Sequence, residues 1–140
     1  MQISAETKKI SELLPIAVKT LKYVIPSFQR PYSWKNEQIE QLFIDIKDEA
    51  LGYYAGNILV TGDESALNVI DGQQRLTTIS LFFLAIGVKL KRDYPTDKNA
   101  DRIAYDIERQ LLLTLLVRMM FQEYTCLRVI RSCIPIFWAL

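Results

Sequence analysis

A chain of 140 residues suits one domain around one hydrophobic core. Half of it is hydrophobic and 24% is charged, the composition of a soluble globular protein rather than a disordered one. With 17 basic and 16 acidic residues the net charge is +1, which excludes a global field for DNA or acidic membranes and makes any anion recognition local. Histidine is absent, so Ser-His-Asp and Cys-His catalysis, histidine-ligated zinc and histidine-metal nuclease chemistry are excluded from these residues.

Cys126 and Cys133 are too few for a zinc site or a disulfide framework, and a reducing compartment is expected. The start Met1-Gln2-Ile3-Ser4-Ala5-Glu6 lacks the basic-then-apolar layout of a signal peptide. No apolar stretch reaches the roughly 20 residues that span a bilayer. A cytoplasmic protein without a membrane segment is expected.

In chain order, Thr7 to Leu14 reads as a short helix stopped by Pro15. Leu21 to Ile25 is a short β-prone run ending at Pro26. Pro26 and Pro31 bracket Ser27-Phe28-Gln29-Arg30 and predict a fixed extended loop, because each proline biases its predecessor away from helix. Asn36 is a predicted N-cap, followed by an apolar helical face of Ile39, Leu42, Phe43, Ile46 and Ala50, with Gly52 as the stop. Ala55 to Val60 and Leu67 to Ile70 read as strands joined by the turn-like Thr61-Gly62-Asp63-Glu64-Ser65, an antiparallel hairpin. After Asp71-Gly72-Gln73-Gln74-Arg75 a long helix is predicted from about Leu76 to Lys91. It is apolar on most sides and therefore central to the core. Tyr94-Pro95-Thr96-Asp97 is a break, and Asp101 to Phe121 reads as a further helix. The run Ile134 to Leu140 is apolar without an organising period, which suggests a truncated chain or an out-of-frame tail.

Two clusters can carry chemistry. The first is Ile25-Pro26-Ser27-Phe28-Gln29-Arg30-Pro31-Tyr32-Ser33-Trp34. Arg30 can hold phosphate oxygens bidentately, Gln29 can donate or accept, and Tyr32 or Trp34 can stack on a base. The competing reading is a structural loop whose aromatics close the core. The second cluster is Asp71-Gly72-Gln73-Gln74-Arg75-Leu76-Thr77-Thr78. Gly72 permits a sharp turn, the helix start offers free N–H groups, and Arg75, Thr77 and Thr78 add donors. Asp71 is the acid there, a candidate metal ligand or general base. The competing reading makes Asp71 a helix cap and leaves the glutamines and arginine solvated. A weaker element is Tyr53-Tyr54-Ala55-Gly56-Asn57-Ile58, where Gly56 suggests a bulge or close approach and Asn57 offers an amide. Asp45, Asp48 and Glu49 read as a solvated face. Lys89, Lys91 and Arg92 end a helix, as its dipole favours, with no partner assigned.

The order Ile-Pro-x-Phe-Gln-Arg-Pro-Tyr-x-Trp, Tyr-Ala-Gly-Asn-Ile, Val-Ile-Asp-Gly-Gln-Gln-Arg-Leu-Thr-Thr resembles the N-terminal domain of GmrSD-type, modification-dependent restriction endonucleases, from about Ile10 to Arg92. The resemblance implies an α+β, ParB/sulfiredoxin-like fold: a small mixed sheet with packed helices and a long central helix after the Asp-Gly-Gln-Gln-Arg turn. It divides the chain into a nucleotide-binding domain, residues 1–92, and a helical extension, residues 93–140. It further implies binding, and hydrolysis, of a nucleoside triphosphate (NTP) with Mg²⁺ or another divalent cation, controlling DNA cleavage by a separate His-Asn-His nuclease part. Gln29, Arg30, Tyr32, Trp34, Gly72, Arg75 and Thr77 would bind nucleotide. Asp71 would hold the metal or orient water, with Gln73 or Gln74 positioning that water. A non-catalytic ParB-like DNA- or nucleotide-binding module and an inactive fragment are the alternatives. Which nucleotide is used, and whether the chain forms a homo-oligomer, stay open.

Overall fold

The computed structural model describes residues 4–14, 23–49, 52–63 and 66–111, with side chains to residue 109. Along the chain it forms α1 (Ile10–Leu13), β1 (Tyr23–Val24), α2 (Asn36–Asp48), β2 (Leu59–Asp63), β3 (Ala66–Asp71), α3 (Gln73–Asp93) and α4 (Lys98–Leu111). The architecture is α+β, as expected, with a small mixed sheet of order β1-β3-β2. β2 and β3 make the predicted antiparallel hairpin, with Val60 opposite Val69, and β1 runs parallel to β3, with Tyr23 opposite Leu67. A parallel neighbour needs a crossover, and α2 lies within the one that joins β1 to the hairpin.

β3 is the middle strand, and its Val69 is fully buried. It belongs to one buried cluster with Ile39 and Leu42 of α2, Leu76, Ile79, Leu81 and Phe82 of α3, Tyr23 of β1 and Tyr32 of the loop between β1 and α2. Phe43 meets Phe82 edge to face, ring centroids 5.7 Å apart. α3 is buried on nearly all sides over its first half, with Arg75 and Phe83 half-buried, and opens to solvent at Ile86 and Val88. α4 lays Ala100, Ala104 and Ile107, one helical face, into the core, and it packs against α3.

Several boundaries shift for local reasons. Lys35, not Asn36, is the N-cap of α2, and the Gln38 side chain reaches back to accept from the Lys35 N–H at 2.8 Å. The bracket between Pro26 and Pro31 is not extended throughout: Gln29 N–H donates to Pro26 C=O at 3.1 Å, closing a turn over Ser27-Phe28. Ala55 to Ile58 is irregular, and the strand begins at Leu59 and runs on through Thr61 to Asp63, which the sequence pattern assigned to the turn. Asp97 accepts from the amides of Asn99 and Ala100 at 2.7 and 3.1 Å and so caps α4, which begins at Lys98, before the predicted Asp101. The basic end of α3 is paired after all: Lys89 and Arg92 with Asp93, and Lys91 with Glu108 of α4 at 2.8 Å. The stop at Pro15, Ala50 of the α2 face, the leucine-rich stretch beyond Leu111, both cysteines and the apolar C-terminal run lie outside the described residues.

Three groups tie stability to alkaline pH. Burial lifts the Tyr23 phenol above its ordinary range. Burial, then the charge and hydrogen bond of Asp45, lift that of Tyr53. The bond to Glu108 lifts the Lys91 ammonium. A raised pKa contributes stability that is complete below the unfolded value and is lost as pH climbs through the folded one. The urea midpoint should be level from about pH 7 to about pH 9 and fall above about pH 10, and Tyr23→Phe should remove part of that fall. A midpoint still level at about pH 11 would contradict these assignments.

Candidate functional site

The site is the junction where β3 ends, the chain turns at Gly72 and α3 begins. Gly72 sits at φ +83°, left-handed backbone that glycine adopts without strain, and it occupies the N-cap position of α3. A Cβ there would lie 2.8 Å from the Asn57 carbonyl oxygen and 3.0 Å from Ile58 Cγ1. Loop 53–58 therefore presses directly on the turn. No side chain caps α3. Asp71 is the exposed last residue of β3 and does not cap, which corrects the capping reading. The N–H groups of Gln73, Gln74 and Arg75 stay without intrahelical acceptors, at the positive end of a 21-residue helix.

The two glutamines behave differently from solvated side chains. They are 7% and 6% exposed. Gln73 donates through Nε2 to the Arg30 carbonyl. Gln74 donates through Nε2 to Pro31 C=O at 3.1 Å and accepts at Oε1 from Ser33 N–H at 2.8 Å. Its amide thus pairs with the backbone on both sides of Tyr32, much as a neighbouring strand would. Tyr32 is drawn inward, and its hydroxyl lies 2.8 Å from Thr78 Oγ1. Thr78 spends its one proton on Gln74 C=O, also at 2.8 Å, so Tyr32 is the donor of that pair. From the other side, Gln29 Nε2 donates to Ile70 C=O at 2.9 Å and fastens the loop to the end of β3. One buried acceptor, Gln73 Oε1, has no partner among the described residues.

The cationic groups are left open. Neither the Arg30 nor the Arg75 guanidinium takes part in an ion pair among the described residues. Arg75 is half-buried and lies over Gly56: a Cβ on Gly56 would come within 2.2 Å of its Nη1. Gly56 itself has φ +92°, so two constraints demand glycine there. The nearby charge of Arg75 works against the rise of the Tyr53 phenol pKa.

Of the residues singled out from sequence, Gly72, Gln73, Gln74 and Arg75 share the start of α3 with Asp71 beside them, and the backbone of Arg30 joins them through Gln73. Tyr32 and Thr77 are buried, so the Tyr32 ring and the Thr77 hydroxyl are not open to a ligand, and Trp34 is half-buried against the core cluster. The open rings are Phe28 and Tyr54, 76% and 69% exposed. Composition could not separate them from Tyr32 and Trp34, because all four are aromatics in loops beside polar residues. Among the described residues no group of three or more His, Cys, Asp or Glu could hold a metal ion. A divalent cation here would have one carboxylate, Asp71, and would draw the rest of its shell from phosphate oxygens and water, an arrangement suited to Mg²⁺.

The two glutamines should respond differently to truncation of the amide. Gln74→Met strands two backbone groups and should cost about 2 kcal/mol in urea unfolding. Gln73→Met removes one bond and one orphaned acceptor together and should cost about 1 kcal/mol or less. Equal costs would show that Gln74 does not hold the loop as described. Gly56→Ala, which drives a Cβ into the guanidinium, should displace Arg75 and weaken anion binding at this turn, read by titration with inorganic tripolyphosphate.

Searches of curated proteins and of solved structures returned no match. A protein-family model described as the GmrSD restriction endonuclease, N-terminal domain, matches residues 10–126, which takes in every element from α1 to α4 and continues beyond the stretch that the motifs cover. The turn at Gly72, the loop fastened by its two glutamines and the helix that follows are those of a chain that belongs to the N-terminal domain family of GmrSD restriction endonucleases.

Proposed function

We propose that this chain binds a nucleoside triphosphate at the turn Asp71 to Arg75 and hydrolyses it, and that this controls DNA cutting by a nuclease part outside these residues. The observation that carries the reading is the open start of α3: three uncapped N–H groups with an unpaired guanidinium beside them. Such a helix start favours a phosphate through both its donors and its dipole. Arg75, held on Gly56, supplies the charge, and Arg30 adds a second cation from the fastened loop. Gly72 lets loop 53–58 close on one side of the turn, with the Asn57 carbonyl and Ile58 where a Cβ would stand, and places no capping side chain over the first amides of α3.

Asp71 is exposed at the mouth of the turn and supplies the one carboxylate for hydrolysis. A divalent cation bound there would screen the phosphate charge and polarise the transferred group. Asp71 would hold it or accept the proton of the attacking water. One observation favours a second reading, binding without turnover: the Gln74 amide is committed to the loop at both ends and Gln73 Nε2 is spent on the Arg30 carbonyl, which leaves Gln73 Oε1 as the glutamine atom open to a water. Chains of this composition, in which no helix among the described residues is long and apolar enough to cross a membrane, fit a cytoplasmic role.

Arg75→Ala should lower NTP affinity at least about tenfold, the loss of one charge-assisted phosphate contact, while the far-ultraviolet circular dichroism stays that of the parent. Equal affinity in parent and variant, measured by isothermal titration with Mg²⁺ present, would place the site elsewhere. Phosphate release separates the two readings. Release abolished by Asp71→Asn with binding retained supports hydrolysis, and binding without release from the parent supports the module.

A further inference from the structure

Asp45, Asp48 and Glu49 lie together at the C-terminal end of α2, but only Asp45 is drawn inward. Asp48 and Glu49 are exposed, whereas Asp45 is half-buried. Each of its carboxylate oxygens has a partner. Gln41 Nε2, one turn back on the same helix, donates to Oδ1 at 2.7 Å, and the Tyr53 hydroxyl donates to Oδ2 at 3.4 Å. Asp45 therefore departs from the solvated face that the acidic run suggested. Tyr53 in turn opens loop 53–58, and its ring packs against the core cluster. Its phenol feels charge from two directions: burial and then Asp45 raise its pKa, Arg75 lowers it and Glu49 raises it. One hydroxyl is thus within reach of both the acidic end of α2 and the guanidinium at the start of α3.

Three residues beyond Tyr53, Gly56 lies against the Arg75 guanidinium, and Asn57 and Ile58 press on Gly72. The loop that carries the arginine is fastened at Tyr53 and again at Gly72. No ion pair among the described residues aims Arg75, so its aim depends on where this loop stands. A long side chain held in place beforehand spares a ligand the cost of ordering it. We infer that Asp45 and Tyr53 are positioning residues for the anion site at the start of α3: α2 holds loop 53–58 through the Tyr53 hydroxyl, and the loop holds Arg75 ready for phosphate. This rests on the phosphate reading given above. Neither residue touches the anion. Asp45 serves as an acceptor, since its charge alone would oppose an anion.

The test is equilibrium titration of the full chain with inorganic tripolyphosphate in the presence of Mg²⁺, with the urea midpoint of each variant measured beside it. Tyr53→Phe keeps the ring in the core and loses the hydroxyl. It should weaken binding about threefold, the cost of ordering one long side chain, with circular dichroism that of the parent. In an Arg75→Ala background the same change should have no further effect, because the loss runs through the guanidinium. Asp45→Asn and Asp45→Ala remove the same charge, but only the asparagine keeps an acceptor oxygen. Asp45→Ala should therefore bind about threefold more weakly than Asp45→Asn. A merely structural Tyr53 would lower the urea midpoint and leave affinity alone. Parental affinity in Tyr53→Phe, or an equal loss with and without Arg75, would overturn the inference while the phosphate site stands. Equal affinities in the two Asp45 variants would overturn Asp45 as the anchor. A parent that does not bind tripolyphosphate, or an Arg75→Ala variant that binds it as the parent does, would remove the phosphate site and its positioning residues together.

Discussion

The structure depends on a pair of side-chain amides, Gln73 and Gln74, that hold backbone which no strand reaches. The loop between β1 and α2 carries prolines at 26 and 31, and a proline-bracketed segment has few N–H groups to offer a sheet. Its carbonyls at Arg30 and Pro31 and its N–H at Ser33 still need partners. The first turn of α3 supplies them, and Gln29 returns one bond to the end of β3. Because the donors stand on a helix start that is itself rooted in the core by Leu76, Ile79 and Phe82, the loop inherits the rigidity of α3. Removing that connection would free Tyr32 from Thr78 and open one side of the core.

The arrangement also explains why the start of α3 is bare. Ser, Thr, Asp or Asn at the N-cap would satisfy its first amides and close the site. Gly72 in the left-handed region leaves them open, and the packing of Asn57 and Ile58 on its Cα excludes any side chain. Uncapped amides and a buried orphaned acceptor on Gln73 both cost stability. Their concentration in five consecutive residues is what motivates the proposed function of this junction.

Legibility in the sequence followed how local each signal was. The hairpin, the break at Tyr94-Pro95 and the long helix after Arg75 were all readable, because turn composition and apolar period act over a few residues. The parallel pairing of Tyr23-Val24 with β3 was not, since it depends on a crossover that brings together residues more than forty apart. Boundaries moved where a backbone partner decided: Thr61 to Asp63 look like a turn by composition but pair across the hairpin with Ala66 to Asn68. The motif at Asp71 to Arg75 was visible as a site, yet the division of labour inside it was not. The two glutamines read as solvated or water-positioning, and they proved to be the fasteners of a loop about forty residues earlier in the chain.

By itself the sequence determined the α+β class, the family and the five residues around which the proposed function is organised. Those are properties of composition, of short-range period and of contiguous motifs. Only the tertiary structure decided which polar side chains are spent on the fold and which are left for a ligand. Gln74, Tyr32 and Thr78 are consumed by one another and by the loop, whereas the guanidinium of Arg75 and the first amides of α3 are not. The physical reason is that a hydrogen-bonding group has a fixed number of donors and acceptors. Whether they are already taken depends on neighbours distant in sequence, and no local pattern records that.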